Sequence, residues 1–184
     1  MRPTRLISIH DASALTRLLE ENRDFLAPWE PVRDEEYFTL AGQRKTIERA
    51  LERHAQGAAF PCVILAPDET QVVGRINLNT IVRGPFQSAS VGYLVAEKFN
   101  GQGLATAAVA DIKRRAFGEL GLHRLEAGTL TNNHGSQKVL ERNGFERFGL
   151  APRYLKIAGE WQDHILFQVL AAESRNAESR NAES

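Results

Sequence analysis

Two glycines one residue apart, Gly101 and Gly103, follow the apolar run Tyr93-Leu94-Val95 and open a long helical pattern that runs from Gly103 to Leu120. A strand that turns through glycines into a helix presents backbone N–H groups with no intrahelical partner, and residues without a Cβ let a phosphate approach them closely. The segment Asn100-Gly101-Gln102-Gly103-Leu104-Ala105-Thr106 is therefore a candidate anion cradle, with a plain glycine-rich turn as the alternative. The rest of the chain can support such a site. Its 184 residues, 42% hydrophobic and 25% charged, suit one domain with a real core. Lys+Arg and Asp+Glu both number 23, so the long-range attraction that a nucleic-acid binder needs is missing. The one cysteine, Cys62, sits among Phe60, Val63, Ile64 and Leu65 and reads as core; it excludes an internal disulfide framework and points to a reducing cytoplasm. No apolar run approaches the ~18 residues of a membrane span, and Met1 to His10 lacks the apolar centre of a signal peptide. His10, His54, His123, His134 and His164 are scattered without ligand spacing, so no metal is expected.

Periodicity sets the order of elements. Arg5 to His10 alternates as a strand, and Ala12 to Asn22 has helical spacing behind a possible Asp11 cap. Two prolines forbid a regular helix over Phe25 to Val32, and a helix is expected from about Asp34 to His54. Phe60 to Leu65 and Val72 to Leu78 form a hairpin about Pro67-Asp68-Glu69-Thr70, and Ser88 to Val95 is a further strand. Arg124 to Thr131 is a strand, and His134 to Arg142 is a short helix closed by Gly144. Phe145 to Leu150 and Tyr154 to Leu170 complete the sheet, the latter turning at Ala158-Gly159. The domain occupies residues 1–170; residues 171–184 form a polar tail with an ESRNA repeat, expected to be disordered and either a biological linker or an extension added in cloning.

Two nucleotide loops compete for the glycine segment. A Walker loop fails because no Lys-Ser or Lys-Thr pair follows the glycines. A dinucleotide loop fits better through Gly101-x-Gly103 and Glu126, but its third glycine position is Thr106 and a hairpin precedes it.

The block Asn100 to Ala105 resembles the acetyl-CoA pyrophosphate motif Q/R-x-x-G-x-G/A of the GNAT superfamily of N-acetyltransferases. The block Thr131 to Phe145, with Asn133, Ser136, Gly144 and Phe145, is similar to that superfamily's N-x-x-S...G-F element. Both occur in the right order and spacing, and the resemblance covers about residues 3 to 170. More narrowly, Glu21 to Glu35, Val82-Arg83-Gly84 and Trp161-Gln162-Asp163-His164 resemble the RimJ-type ribosomal-protein alanine N-acetyltransferases.

The resemblance implies an α/β fold with a mixed, mostly antiparallel central sheet flanked by helices, whose central strands splay to admit acetyl-CoA. It implies that Tyr93, Leu94 and Val95 line the acetyl and pantetheine arm. Asn100, Gly101, Gln102, Gly103, Leu104, Ala105 and Thr106 would hold the diphosphate, and Asn133 and Ser136 would meet the pantetheine and thiol. Two departures stand out: Asn100 replaces the usual Gln or Arg, and Leu140 stands where some members carry a tyrosine that protonates the thiolate.

Acetyl transfer needs a neutral amine, a carbonyl held close to it, and a donor for the oxyanion. The Val95 N–H is a candidate for that donor, and Ser136 for the thiolate contact, with Tyr154 as runner-up. Glu30, Glu126 and Glu160 are candidate bases or amine-recognition groups, Glu30 first; Phe25 and Trp29 could wall the acceptor slot. The acidic run Asp34-Glu35-Glu36 could attract a basic peptide or simply suit a helix start. His164 beside Asp163 reads as a structural pair. The expected acceptor is the N-terminal alanine of a small-subunit ribosomal protein. The alternatives are a small amine such as an antibiotic or amino-acid derivative, and a non-catalytic acetyl-CoA-binding module. Monomer or homodimer, with no direct nucleic-acid or membrane contact, completes the expectation.

Overall fold

The chain's structure is a computed structural model that describes residues 2–172; the expectation for the tail falls, from residue 173 on, outside the described residues. Seven strands make one sheet among the described residues: β1 (Thr4–Leu6), β2 (Phe60–Leu65), β3 (Val72–Val82), β4 (Ser88–Val95), β5 (Arg124–Leu130), β6 (Glu146–Ile157) and β7 (Glu160–Leu170). Their order is β1-β2-β3-β4-β5-β7-β6, and every neighbouring pair is antiparallel except β4 with β5. The helices are α1 (Ala12–Glu21), α2 (Arg23–Leu26), α3 (Leu40–Ala55), α4 (Leu104–Gly118) and α5 (His134–Arg142). This is the mixed, mostly antiparallel α/β sheet that the sequence implies.

Strand alternation gives the sheet two buried faces. Ile76 and Leu78 of β3, Leu125 and Ala127 of β5 and Phe167 of β7 pack with Ala108, Val109 and Ile112 of α4 and with Leu140 of α5. On the other face, Val63 and Leu65 of β2 pack with Leu15 of α1 and Ile47 of α3. Leu94 of β4 packs there with Leu18 and Leu19 of α1 and Leu26 of α2. Cys62 is fully enclosed as expected, and burial pushes its thiol up to about 12, which keeps it protonated and inert.

The seam between β4 and β5 positions everything that follows. These strands pair only through Ser88↔Arg124, Ala89↔Leu125 and Ser90↔Glu126. Beyond that, β4 continues to Val95 against β3 and β5 continues to Leu130 against β7, so their facing edges splay apart.

Several boundaries differ from the periodic reading. The first strand ends at Leu6 rather than His10, because Asp11 accepts the Ser8 N–H at 2.8 Å and pairs with Arg5 at 2.6 Å, which winds Ile9–Asp11 into a 3-10 turn. The helix expected from Asp34 is split: Asp34 caps a 3-10 turn over Glu35–Phe38, and Thr39 then caps α3 by accepting the Gly42 N–H. The strand expected to stop at Leu150 continues as β6 past Pro152, with the ladder irregular between Ala151 and Leu155.

Candidate functional site

Two cavities meet at the splay, one on each face of the sheet. The first, of about 580 Å³, lies on the α4 and α5 side; the second, of about 830 Å³, lies on the α3 side. They share Leu26, Trp29, Tyr93, Leu94, Asn133 and Ser136 as common walls. A group held among these residues is reachable from both sides.

The first cavity begins at the glycine loop. Gly101 and Gly103 have φ of +75° and +79°, a left-handed backbone that glycine adopts without strain, and a Cβ added at either would meet nothing within 4 Å. The loop is thus shaped by conformation and leaves open space above it. Asn100 Nδ2 donates to the Ala96 carbonyl at 3.4 Å and Gln102 Nε2 to the Lys98 carbonyl at 2.9 Å, so both side chains fold back on the preceding turn. Gln102 is absent from the cavity wall, whereas Asn100, Gly101, Gly103, Leu104, Ala105 and Thr106 line it. Helix α4 starts at Leu104, and its first N–H groups have no intrahelical acceptor. Such a start, with two bare glycines before it, fits a diphosphate. Lys138 and Arg142, one turn apart on α5, add positive charge to the same cavity; neither makes an ion pair among the described residues. Sequence reading passed over them, although their spacing of four places them on one helix face.

The opposite wall is the start of α5. Asn133 caps the helix by accepting the Ser136 N–H at 3.0 Å, which fixes Ser136 at the splay. The Ser136 hydroxyl lies 2.8 Å from the Tyr93 hydroxyl. Burial pushes the Tyr93 phenol up to about 12, only partly offset by its bond to Ser136, so it remains a neutral O–H. Val95 lines this cavity too. Its neighbour Ala96 donates its N–H to the Val73 carbonyl of β3 at 2.9 Å, and strand alternation turns the Val95 N–H the other way, into the splay.

The second cavity has a floor of strand residues and a roof from α3 and the loop after α2. Glu30 lines it, with its carboxylate 3.4 Å from the Arg75 guanidinium and 3.7 Å from that of Arg33. Two guanidiniums at one oxygen orient the Glu30 side chain. Trp29 lines both cavities, whereas Phe25 lies on the wall of the first and not of the second. Glu126 lines neither cavity: it accepts from Arg124 Nε at 2.6 Å, at the level where β4 and β5 are still paired. Tyr154 lines neither cavity; it is half exposed, its ring edge-on to His164 with centroids 5.6 Å apart. Glu160 begins β7, pairing with Ile157 at the turn.

The acidic run is fully engaged. Glu35 pairs with Arg23, Glu36 with Lys45, and the Asp34 side chain accepts the Tyr37 N–H at 2.9 Å. Meanwhile Arg49 and Arg53, one turn apart on α3, line the second cavity with no ion pair among the described residues. His164 also lines this cavity, although Asp163 does not bind it: the Asp163 carboxylate instead accepts the Arg153 N–H at 2.8 Å. No group of three or more His, Cys, Asp or Glu side chains that could hold a metal occurs among the described residues, and no helix there is long and apolar enough to cross a membrane.

The acetyltransferase (GNAT) domain family matches residues 4–146. The chain is 39% identical over 166 residues to the [ribosomal protein uS5]-alanine N-acetyltransferase of Escherichia coli, covering 88% of this chain and 84% of that one. It is 37% identical to the probable N-acetyltransferase YjcK of Bacillus subtilis, over 90% and 92% of the two chains. Among solved structures, Mycobacterium smegmatis RimJ in complex with CoA-disulfide superposes with a TM-score of 0.88 at 32% identity, over 95% of this chain and 84% of that one. A splayed seam, a glycine loop leading into a helix and relatives of this similarity along nearly the whole chain agree: the chain belongs to the GNAT acetyltransferases and is an N-acetyltransferase of the RimJ type.

Proposed function

We propose that this enzyme transfers the acetyl group of acetyl-CoA to the α-amino group of a protein N-terminus, with the N-terminal alanine of a small-subunit ribosomal protein as the first acceptor to test. The observation that carries the reading is the pair of cavities meeting at the splay, which lets a thioester and an amine reach each other from opposite faces. The relative named for alanine acetylation of uS5 supports this choice of acceptor.

Acetyl-CoA supplies an activated thioester carbonyl; this chain supplies position and charge. In this mechanism the N–H groups at the start of α4, with Lys138 and Arg142, hold the diphosphate, and Gly101 and Gly103 keep the approach clear. Tyr93, Leu94 and Val95 line the acetyl and pantetheine arm, with the Val95 N–H directed at the carbonyl oxygen. Ser136, held by Asn133 and bonded to the Tyr93 hydroxyl, faces the sulfur. Glu30, anchored between Arg75 and Arg33, acts as the carboxylate that recognises the amine end. An α-amino group with a pKa near 7.7 to 8.0 is roughly a tenth neutral at pH 7, far more than a lysine, so it needs only modest assistance.

The test is thiol release from acetyl-CoA with a short Ala-initiated peptide, an N-terminally blocked copy and a panel of small amines. Release with the free peptide alone supports the reading; release with small amines alone moves the acceptor to that class. Two acidic and two basic peptide sequences behind the alanine extend the test. Because Asp34, Glu35 and Glu36 are engaged while Arg49 and Arg53 are not, the acidic peptides are expected to show the lower KM, and raised salt is expected to erase the difference.

A further inference from the structure

His164 lies on β7 with its ring almost wholly enclosed, 3% exposed, and it lines the acceptor-side cavity. Its Nδ1 is 3.0 Å from the Gln162 carbonyl. A carbonyl can only accept, so Nδ1 carries the hydrogen, and the neutral ring then bears its lone pair on Nε2. Nε2 makes no hydrogen bond among the described residues, and it is not one of the sealed-off polar atoms: the residue lines the cavity, which leaves that nitrogen open to it. The result is a buried imidazole with a fixed tautomer and a free basic nitrogen beside the cavity, an arrangement a purely structural histidine does not require.

Its place in the sheet adds a second, independent reason. Residues 165, 167 and 169 of β7 pack on the α4 and α5 side, so His164 projects to the other face, where the acceptor cavity lies. Its register partner on β5 is Leu130, and antiparallel partners stand about 5 Å apart. The Leu130 carbonyl in turn accepts the Asn133 N–H at 3.0 Å, which ties this point to the start of α5 and to Ser136. Next to His164 the floor is low: a Cβ added at Gly128 would meet the imidazole Cδ2 and the Tyr154 ring at 3.6 Å and Leu166 at 3.7 Å, so the absent side chain lets these groups close over the strand, and Gly92 across the splay likewise carries no side chain on this face. Tyr93 and Ser136 form the thiol side of the same opening. An amine attacking a thioester carbonyl and the sulfur leaving it are on different sides of the carbon, and the sheet separates the two proton-handling groups in the same sense.

We propose that His164 Nε2 is the catalytic base that takes the proton from the acceptor amine, directly or through one water, as the amine nitrogen bonds to the acetyl carbon. In this step the N–C bond forms and the C–S bond breaks; the electron pair of that bond leaves on sulfur, stabilised from the Tyr93–Ser136 side. The proton moves from nitrogen to Nε2, and the products are the amide, the CoA thiolate and a protonated imidazole, which returns its proton to thiolate or solvent. The titratable and charged groups that face the ring or share its cavity are Tyr154 on β6, Tyr93 on β4, Arg75 on β3, Lys45, Arg49 and Arg53 on α3, and Glu30, Arg33, Asp34, Glu36 and Tyr37 before it; Asp163 faces away toward Arg153. Glu30 keeps its pairing with two guanidiniums throughout and holds the amine end without taking the proton.

This proposal rests on the acetyltransferase reading of the same site, and the experiment keeps the two apart. His164→Asn retains an N–H able to bond the Gln162 carbonyl but has no basic nitrogen; His164→Gln is the second variant should the first unfold. The measurements are CoA binding by calorimetry and the pH profile of turnover with the best wild-type acceptor. The expected result is unchanged CoA binding and a kcat lowered by on the order of 100-fold at pH 7. Because the attacking amine is the neutral form in both enzymes, the deficit should persist as pH rises through about 7.7 to 8.0, where the α-amine deprotonates. A folded variant with kcat within about twofold of wild type and the same pH profile overturns the proposal. Wild-type protein that binds CoA but turns over no amine overturns the acetyltransferase reading, and the proposal with it.

Discussion

Gly103 holds φ +79° at the residue before α4. An alanine there pays a left-handed penalty of about 1–2 kcal/mol, and a glutamate adds negative charge where a diphosphate is to sit. Gly103→Glu is therefore expected to abolish CoA binding in calorimetry in a protein that still folds, destabilised by the same left-handed penalty as the alanine, and Gly103→Ala to weaken binding by about tenfold. Glu30 gives a contrasting case. A carboxylate that recognises an amine between Arg75 and Arg33 contributes binding to ground state and transition state alike, so Glu30→Gln is expected to raise the acceptor KM several-fold with a smaller change in kcat. A kcat loss with KM unchanged would move proton transfer back to Glu30. The glycine pair was legible in the sequence because its signal is local: two bare residues between a strand and a helix mean the same thing in any context. His164 was not, because its chemistry depends on register. Only when Leu130 lies opposite it does it reach the cavity, and only the bond that Asp163 accepts from the Arg153 N–H shows where the adjacent carboxylate is engaged.

Among the elements, α5 joins stability to catalysis through one cap. Asn133 accepts the Ser136 N–H, and Ser136 in turn meets Tyr93. Asn133→Ala should cost about 1 kcal/mol, or roughly 2–4 °C in thermal unfolding for a chain of this size, and should also lower kcat because Ser136 loses its anchor. Asn133→Asp should restore most of the stability. Helices and strands with strong periodicity were readable in advance; their ends were not. The 3-10 turn after β1 exists because Asp11 captures Ser8 and Arg5, and the break before α3 exists because Asp34 and Thr39 cap two separate turns. Such choices depend on which side chain wins a nearby N–H, which pattern alone does not decide. The acidic run illustrates the same limit: its charge suggests attraction for a basic partner, yet Arg23, Lys45 and the Tyr37 N–H occupy it.

For the molecule as a whole, acid should act first where the first strand meets α1. Burial raises the Asp11 carboxyl, but the Arg5 hydrogen bonds and the Ser8 N–H outweigh it and hold the group below its ordinary value. A depressed carboxyl stabilises the fold above its unfolded value of about 3.9, and that contribution is lost as pH falls through the folded value. Asp11→Asn should thus be less stable than wild type at pH 7, and the gap between them should close below about pH 4 in thermal melts. CoA should act in the opposite direction: at a hundred times its Kd, a ligand specific for the folded state adds about 2.7 kcal/mol, which corresponds to a rise in Tm of about 5–10 °C. The seam between β4 and β5, closed by three paired positions and open beyond them, also sets the order of events in a catalytic cycle. Because each reactant has its own doorway, neither must depart before the other arrives. Initial velocities measured against both substrates should therefore give families of intersecting lines, with product inhibition by CoA that competes with acetyl-CoA and not with the acceptor.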